Sequence, residues 1–543
     1  MPRLCIEDLE NGAWASAGVA LPRFSHARMR AATRRAPVWI HIGAGNLFRG
    51  FIAALQQRLL DEGLTACGLV VAEAFDHDII EKIYRPHDNL ALSVGMRADG
   101  STLECLVASV ADAYRADTAD AGQMEALTRA FTAPGLQLVS FTITEKGYAL
   151  TDMGGADLPV VAADLQNGPG RARHTMSLAA ALLHARYRAG ARPVALVSMD
   201  NCSGNGDKLR AAVLRVAAVW RDKGFVEPGF TEYLSDGRRV SFPWTMIDKI
   251  TPRPSEAVRA RLAARGIDLA PVVTDRGTFI APYVNAEIPQ YLVVEDDFPN
   301  GRPCLERAGV YFTDRRTVGA AERMKVTACL NPLHTALAIF GCLLGYESIA
   351  AEMADGDLRK LAERIGYDEG LPVVDDPKII RPRAFLEETL TQRLPNPFIP
   401  DTPQRIATDT SQKIPIQFGE TLKAYATRPD VSAETLVGIP LALAGWCRYL
   451  LGVDDGLRPM ALSGDPLLDV LRPALAEIDA GRPDSYRGQL RPMLQNPALF
   501  GVDLFRAGVG GRVEAFFLRM LEGPGAVRRV LHETLTGGSL SAP

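Results

Sequence analysis

Two short stretches hold residue types that could do chemistry. The first, "HIGAGNLFRG" (41–50), sets Gly43 and Gly45 two apart where an apolar run gives way to a helical pattern. Such a turn brings backbone N–H groups and the positive end of a helix dipole to a point where a diphosphate can sit. Gly43 permits the tight turn and Gly45 the close approach. Phe48 stands where the usual third glycine would be, so the turn alone also reads as an ordinary strand-to-helix connection. Glu73, 28 residues past Gly45, closes the next apolar run. There an acidic side chain accepts hydrogen bonds from adenosine ribose hydroxyls and repels a 2′-phosphate. A solvated strand-end glutamate is the alternative, and Asp76 is a nearby substitute. Together they predict NAD rather than NADP, with Asn46, Phe48 and Arg49 grouped at the same turn.

The second stretch, "RMKVTACLNPLHTALAIFGCLLGY" (323–346), is almost wholly apolar after Lys325 except for threonine, asparagine and histidine. A lysine begins near pKa ~10.4 and must be lowered by several units to act as a base near working pH. Burial and neighbouring cations both push that way; a lysine snorkelling from a helix end is the alternative. Asn331 can donate to a developing alkoxide, yet an asparagine before Pro332 is also a natural helix N-cap. His334 falls in the first helical turn, where the dipole disfavours imidazolium; the local sequence alone favours a histidine satisfied within the core. As a membrane span the stretch fails, because Asn331, Pro332 and His334 would lie in hydrocarbon. It reads instead as a turn ending at Asn331, followed by a buried helix with Pro332 at its first position.

The elements that must carry these residues can be traced along the chain. Residues 38–74 give strand, glycine turn, helix and strand. Further apolar runs at 104–110, 136–143 and 193–199 read as strands covered on both faces, with helix-like segments at 121–131 and 176–189. The alternation predicts a parallel sheet with helices on both sides. Beyond about residue 316 helical patterns dominate, at 332–346, 348–365, 383–392, 414–426, 433–451, 466–479 and 513–534. The expected fold is an α/β Rossmann-type N-terminal domain over 1–315 followed by a mostly α-helical domain over 316–543.

Composition narrows the function classes. With 47% apolar and 23% charged residues and a net charge of −4, the 543-residue chain has an ordinary globular balance. Nothing in it advertises a nucleic-acid or anionic-membrane partner. The eight cysteines are scattered without C-x-x-C spacing, which predicts reduced thiols and no metal site. The start, "MPRLCIEDLENGAW", carries acidic residues where a signal peptide needs a basic one, so a cytoplasmic location is expected.

"HIGAGNLFRG", "TITEKGY" (142–148), "SMDNCSGNG" (198–206), "FPWTMIDKITP" (242–252), "YLVVEDDFPNGRP" (291–303) and "MKVTACLNPLH" (324–334) occur in this order. The set resembles the long-chain mannitol dehydrogenase family of polyol and hexonate oxidoreductases, over roughly residues 36–450. The resemblance implies a Rossmann-type and a helical domain with the active site between them, and hydride transfer without zinc. It assigns the catalytic lysine to Lys325 and the asparagine and histidine three apart to Asn331 and His334. The "DN" asparagine falls on Asn201, the acid of the "M.D" segment on Asp248, and the substrate-contacting Arg and Lys on Arg405 and Lys413. A turn asparagine and surface cations are the plain readings of Asn201, Arg405 and Lys413. The six-residue spacing of Lys325 and Asn331 is one longer than in the mannitol enzymes. Lys249 replaces an arginine, and Gly50-Phe51 replace a histidine. With the greater length, these departures predict a hexonate enzyme interconverting D-mannonate and D-fructuronate with NAD. The alternatives are a polyol 2-dehydrogenase acting on mannitol or arabinitol, a tagaturonate reductase, or a non-catalytic NAD-binding protein. Oligomeric state is not legible.

Overall fold

A computed structural model describes residues 2–537. The chain divides into two compact units. One runs up to Met96 and resumes over Ser101–Val318; the other comprises Arg97–Gly100 and everything from Gly319 onward.

The first unit carries the strands β1 Trp39–Ile42, β2 Leu69–Glu73, β3 Ala91–Met96, β4 Thr102–Val107, β5 Val110–Arg115, β6 Leu138–Phe141, β7 Val194–Ser198 and β8 Val240–Ser241. It continues with β9 Thr245–Asp248, β10 Val272–Val273, β11 Phe279–Ile280, β12 Tyr283–Glu287, β13 Tyr291–Glu295 and β14 Tyr311–Thr313. Six strands form a parallel sheet in the order β5-β2-β1-β6-β7-β8. Counted within the sheet this is 3-2-1-4-5-6, the doubly wound Rossmann arrangement, whose direction reverses between β1 and β6. Every residue of β1, β2, β6 and β7 is buried. Alternate side chains serve opposite faces, as a pleated strand requires. Ile40, Ile42, Val139, Phe141 and Leu196 enter the core under helices Thr175–Arg188 and Asn205–Asp222. Trp39, Val71, Leu138 and Val197 enter the core under Ala53–Asp61.

The run at 104–110 departs from the expectation. Residues Thr102–Val107 pair antiparallel with β3, which in turn pairs parallel with β12, in a separate three-stranded sheet. The parallel strand beside β2 begins only at Val110. Hydropathy cannot tell a strand roofed by helices from one in a hairpin when both are apolar. The helix after the glycine turn also opens differently, as a π turn over Phe48–Ile52.

In the second unit the expected helices are present but interrupted. Asp355 breaks 348–365 by accepting N–H bonds from Asp357 and Leu358. The 414–426 segment splits at Phe418, the 466–479 segment shortens to Leu468–Ala474, and 513–534 splits around Gly523 and Gly525. The stretch from Arg315 to Leu344 is a 30-residue, mostly helical run with a bend at Leu330, apolar enough to cross a membrane, with 72% of its most apolar window buried inside the fold. It includes a π turn over Lys325–Cys329, so Lys325 lies in helix rather than in the expected turn. Asn331 is not the cap: Leu330, with φ −138°, takes that position, and Pro332 is second in the following helix rather than first.

Candidate active site

The cofactor end of the first unit is built at the sheet's switch point. Gly43 leaves β1 with φ +108°, and a Cβ there would lie 2.2 Å from the Thr142 carbonyl oxygen at the end of β6, so only glycine fits. Around Gly45 nothing lies within 4 Å of the position a Cβ would take, which leaves space for a ligand to approach the backbone. Glu73 ends β2 and is buried. One of its oxygens accepts from Ala44 N at 2.8 Å; the other accepts from Phe75 N at 2.9 Å and Asp76 N at 3.2 Å. Its carboxylate therefore braces the glycine turn against the loop after β2, in addition to any ribose contact. Tyr84, which sequence reasoning missed, donates to the Ala44 carbonyl at 3.0 Å. The geometry of this turn suits a dinucleotide diphosphate.

Phe48 and Arg49 support the turn from within. Phe48 is fully buried and stacks on His41 with ring centroids 4.4 Å apart. Arg49 donates to the Ala281 carbonyl at 2.7 Å and to the Asn46 side chain at 2.8 Å, and burial lowers its pKa to about 10. Asn46 in turn donates to the Pro252 carbonyl at 3.2 Å. Asn201 is exposed in the bend just after β7. Next to it Asp200, another residue the sequence did not single out, accepts from Ile143 N, Thr144 N and the Tyr148 hydroxyl at 2.8, 3.0 and 2.6 Å. These bonds hold Thr144 at φ +64°, a region costly for a β-branched residue and typical of loops whose shape serves a site. Asp248 is buried at the end of β9.

In the second unit Lys325 is 1% exposed, in the π turn. Asn331 and His334 occupy the first turn of the helix that follows. His334 Nε2 lies 3.3 Å from Asp401 Oδ2 but is not aligned for a hydrogen bond. Burial, reinforced by Arg405, Lys413 and Arg393, lowers its pKa to about 3, so the imidazole is neutral. Arg405, largely exposed, pairs with Asp401, which lies just ahead of the short helix Pro403–Ile406. Lys413 is half-buried, donates to the Ile406 carbonyl at 2.8 Å, and has its pKa pulled down chiefly by burial. Arg393, buried in the π turn Thr389–Arg393, is a third cation acting on the histidine that sequence reasoning missed. A neutral imidazole among three cations can orient a hydroxylated, anionic small molecule by hydrogen bonding while the cations meet its charge.

All eight cysteines are free thiols. Among the described residues the grouping with metal-compatible spacing is Cys5, Glu7 and Asp8, whose two acids pair with Arg3.

Family models match both units. The mannitol dehydrogenase Rossmann domain aligns with residues 38–306 and the mannitol dehydrogenase C-terminal domain with 318–498. The chain is 50% identical over 529 residues, 97% of each sequence, to D-mannonate oxidoreductase of Thermotoga maritima. To D-mannonate oxidoreductase of Escherichia coli it is 28% identical, covering 93% of this chain and 96% of that one. Among solved structures, Pseudomonas fluorescens mannitol 2-dehydrogenase in ternary complex with NAD and D-mannitol superposes with a TM-score of 0.67 at 25% identity. That match covers 95% of this chain and 96% of the other.

Proposed function

From the chain's membership of the mannitol dehydrogenase family, we propose that it is an NAD-dependent oxidoreductase interconverting D-mannonate and D-fructuronate. The observation that carries this reading is the 50% identity to a D-mannonate oxidoreductase, which spans 97% of both chains and so includes the helical half as well as the cofactor half.

When bound at the Gly43 turn, the dinucleotide supplies the acceptor for the hydride leaving the carbinol carbon. The chain itself must take the hydroxyl proton and hold the developing oxyanion. We assign the proton to the Lys325 amine, which is buried in the π turn just ahead of Asn331. Asn331 and Asn201 carry the amide donors suited to the alkoxide oxygen. His334, held neutral, directs a substrate hydroxyl by hydrogen bonding. Asp248 accepts from other hydroxyls, and Arg405 with Lys413 meets the carboxylate. In the reverse direction Lys325 returns the proton to the carbonyl oxygen as the hydride arrives. This route calls for no metal.

The test is a substrate panel followed by loss of NADH absorbance. Turnover with D-fructuronate should exceed that with D-fructose or D-tagaturonate by at least about tenfold in kcat/KM, and NADH should be preferred to NADPH. Faster turnover with fructose would move the assignment to the polyol branch, a reading supported by the fold match to the mannitol-bound enzyme.

A further inference from the structure

The cofactor end carries a feature that the mechanism leaves unused. Two residues after Glu73, the Phe75 ring is 64% exposed beyond the carboxyl end of β2, unusual for so large an apolar side chain. It is not wholly bare: the Arg276 guanidinium lies over the ring at 4.4 Å from its centroid. Arg276 sits at the apex of the hairpin formed by β10 and β11, where Val272 pairs with Ile280 and Val273 with Phe279. Several contacts fix the base of that hairpin to the loop after β2. The Thr274 and Thr278 hydroxyls donate to the buried Asp76 carboxylate at 2.7 and 2.5 Å. Asp275 N donates to Asp78 at 2.8 Å, and Lys82 bridges Asp78 and Asp275. The apex itself turns on Gly277, with φ +79°. Thus a rigid base presents a guanidinium on a short turn above an exposed aromatic ring.

The position of this pair relative to the glycine turn is set by one carboxylate. Glu73 binds Ala44 N with one oxygen and Phe75 N with the other, so the aromatic residue is tied to the segment on which the diphosphate would rest. In a doubly wound sheet the adenosine half of a dinucleotide lies beyond the carboxyl end of the second strand. With Glu73 engaged by backbone N–H groups, the purine itself needs another surface. We propose that the adenine ring stacks on Phe75 and that Arg276 closes over its outer face, the guanidinium moving outward by about 3.5 Å, one contact distance, to admit the base. The proposal rests on the NAD reading above and adds the residues that hold the adenosine half.

Calorimetric titration of the full chain with ADP-ribose, and separately with nicotinamide mononucleotide, tests it without reference to turnover. For Phe75→Ala the ADP-ribose dissociation constant should rise about tenfold or more, the loss expected for removing one base–aromatic stack. Mononucleotide binding should be unchanged, and Phe75→Trp should keep wild-type affinity. Arg276→Ala should lose severalfold on ADP-ribose alone. Phe75 is exposed, so these variants should melt with the wild type. ADP-ribose affinity within twofold of wild type in Phe75→Ala would overturn the proposal while leaving NAD use intact; an unchanged Arg276→Ala would remove the guanidinium from it. Wild-type protein that binds neither ADP-ribose nor NADH would overturn the NAD reading as well.

Discussion

At the scale of single residues, the chemistry depends on where a few polar groups are kept from water. Lys325 is 1% exposed, which keeps its amine out of bulk water. Lys325→Ala should lower kcat by roughly 10²- to 10⁴-fold, the usual contribution of a general acid–base group. NADH affinity, read by fluorescence titration, should stay near that of the wild type. Unchanged turnover would take the lysine out of the mechanism and leave a dinucleotide-binding protein without this chemistry. His334, with its pKa near 3, should contribute no limb to the pH–rate profile above pH 5. The glycine pair and Glu73 could be read from sequence because their demands are local: a turn, a close approach, a strand end. Asp401, Arg393 and Tyr84 could not, since each acts on a residue 40 or more positions away, and no short spacing signals such a pairing.

At the scale of elements, two devices hold the helical unit's shape. The first is the π turn at Lys325–Cys329, which carries Lys325 in helical backbone just before the bend at Leu330 that opens the helix of Asn331 and His334. The second is Glu369, a buried carboxylate that accepts N–H bonds from Val437, Gly438 and Ile439, each at 2.7 Å, at the start of helix Gly438–Tyr449. An anion there answers both the open donors and the positive end of the dipole. Glu369→Ala leaves two buried donors and one half-buried donor without this partner and should cost on the order of 2–4 kcal/mol, seen as a lower denaturant midpoint. A midpoint equal to that of wild type would show that water replaces the carboxylate. Neither device was legible in the sequence. Lys325 was expected in a turn because Asn331-Pro332 resembles a helix start, and Glu369 lies more than 60 residues from the donors that it caps.

At the scale of the whole molecule, stability should depend on pH through Glu352. Its side chain is completely buried, neither oxygen has a hydrogen-bond partner, and burial raises its pKa from 4.5 to about 8. A carboxyl raised in the folded state is most readily accommodated when protonated. Its contribution is therefore fully present below pH 4.5, declines as pH rises from there, and levels off above about 8. Glu352→Gln removes the titration. The variant should gain on the wild type in thermal midpoint as pH rises from about 4.5 to 8 and match its slope outside that window; parallel curves throughout would mean that the carboxyl is hydrated or paired in solution.

The amino-acid sequence by itself determined the order of the two halves, the parallel sheet, the glycine turn with its acidic strand end, and the resemblance that singled out Lys325, Asn331 and His334. Each of these follows from periodicity, glycine geometry or an ordered set of motifs, all properties of neighbouring residues. The tertiary structure decided what surrounds them: that β4 belongs to a hairpin, that Glu73 holds backbone as well as facing the cofactor end, that His334 is neutral, and that Arg276 covers Phe75. Those outcomes depend on burial and on partners far apart in the chain, and desolvation acts on a group only after packing has removed its water.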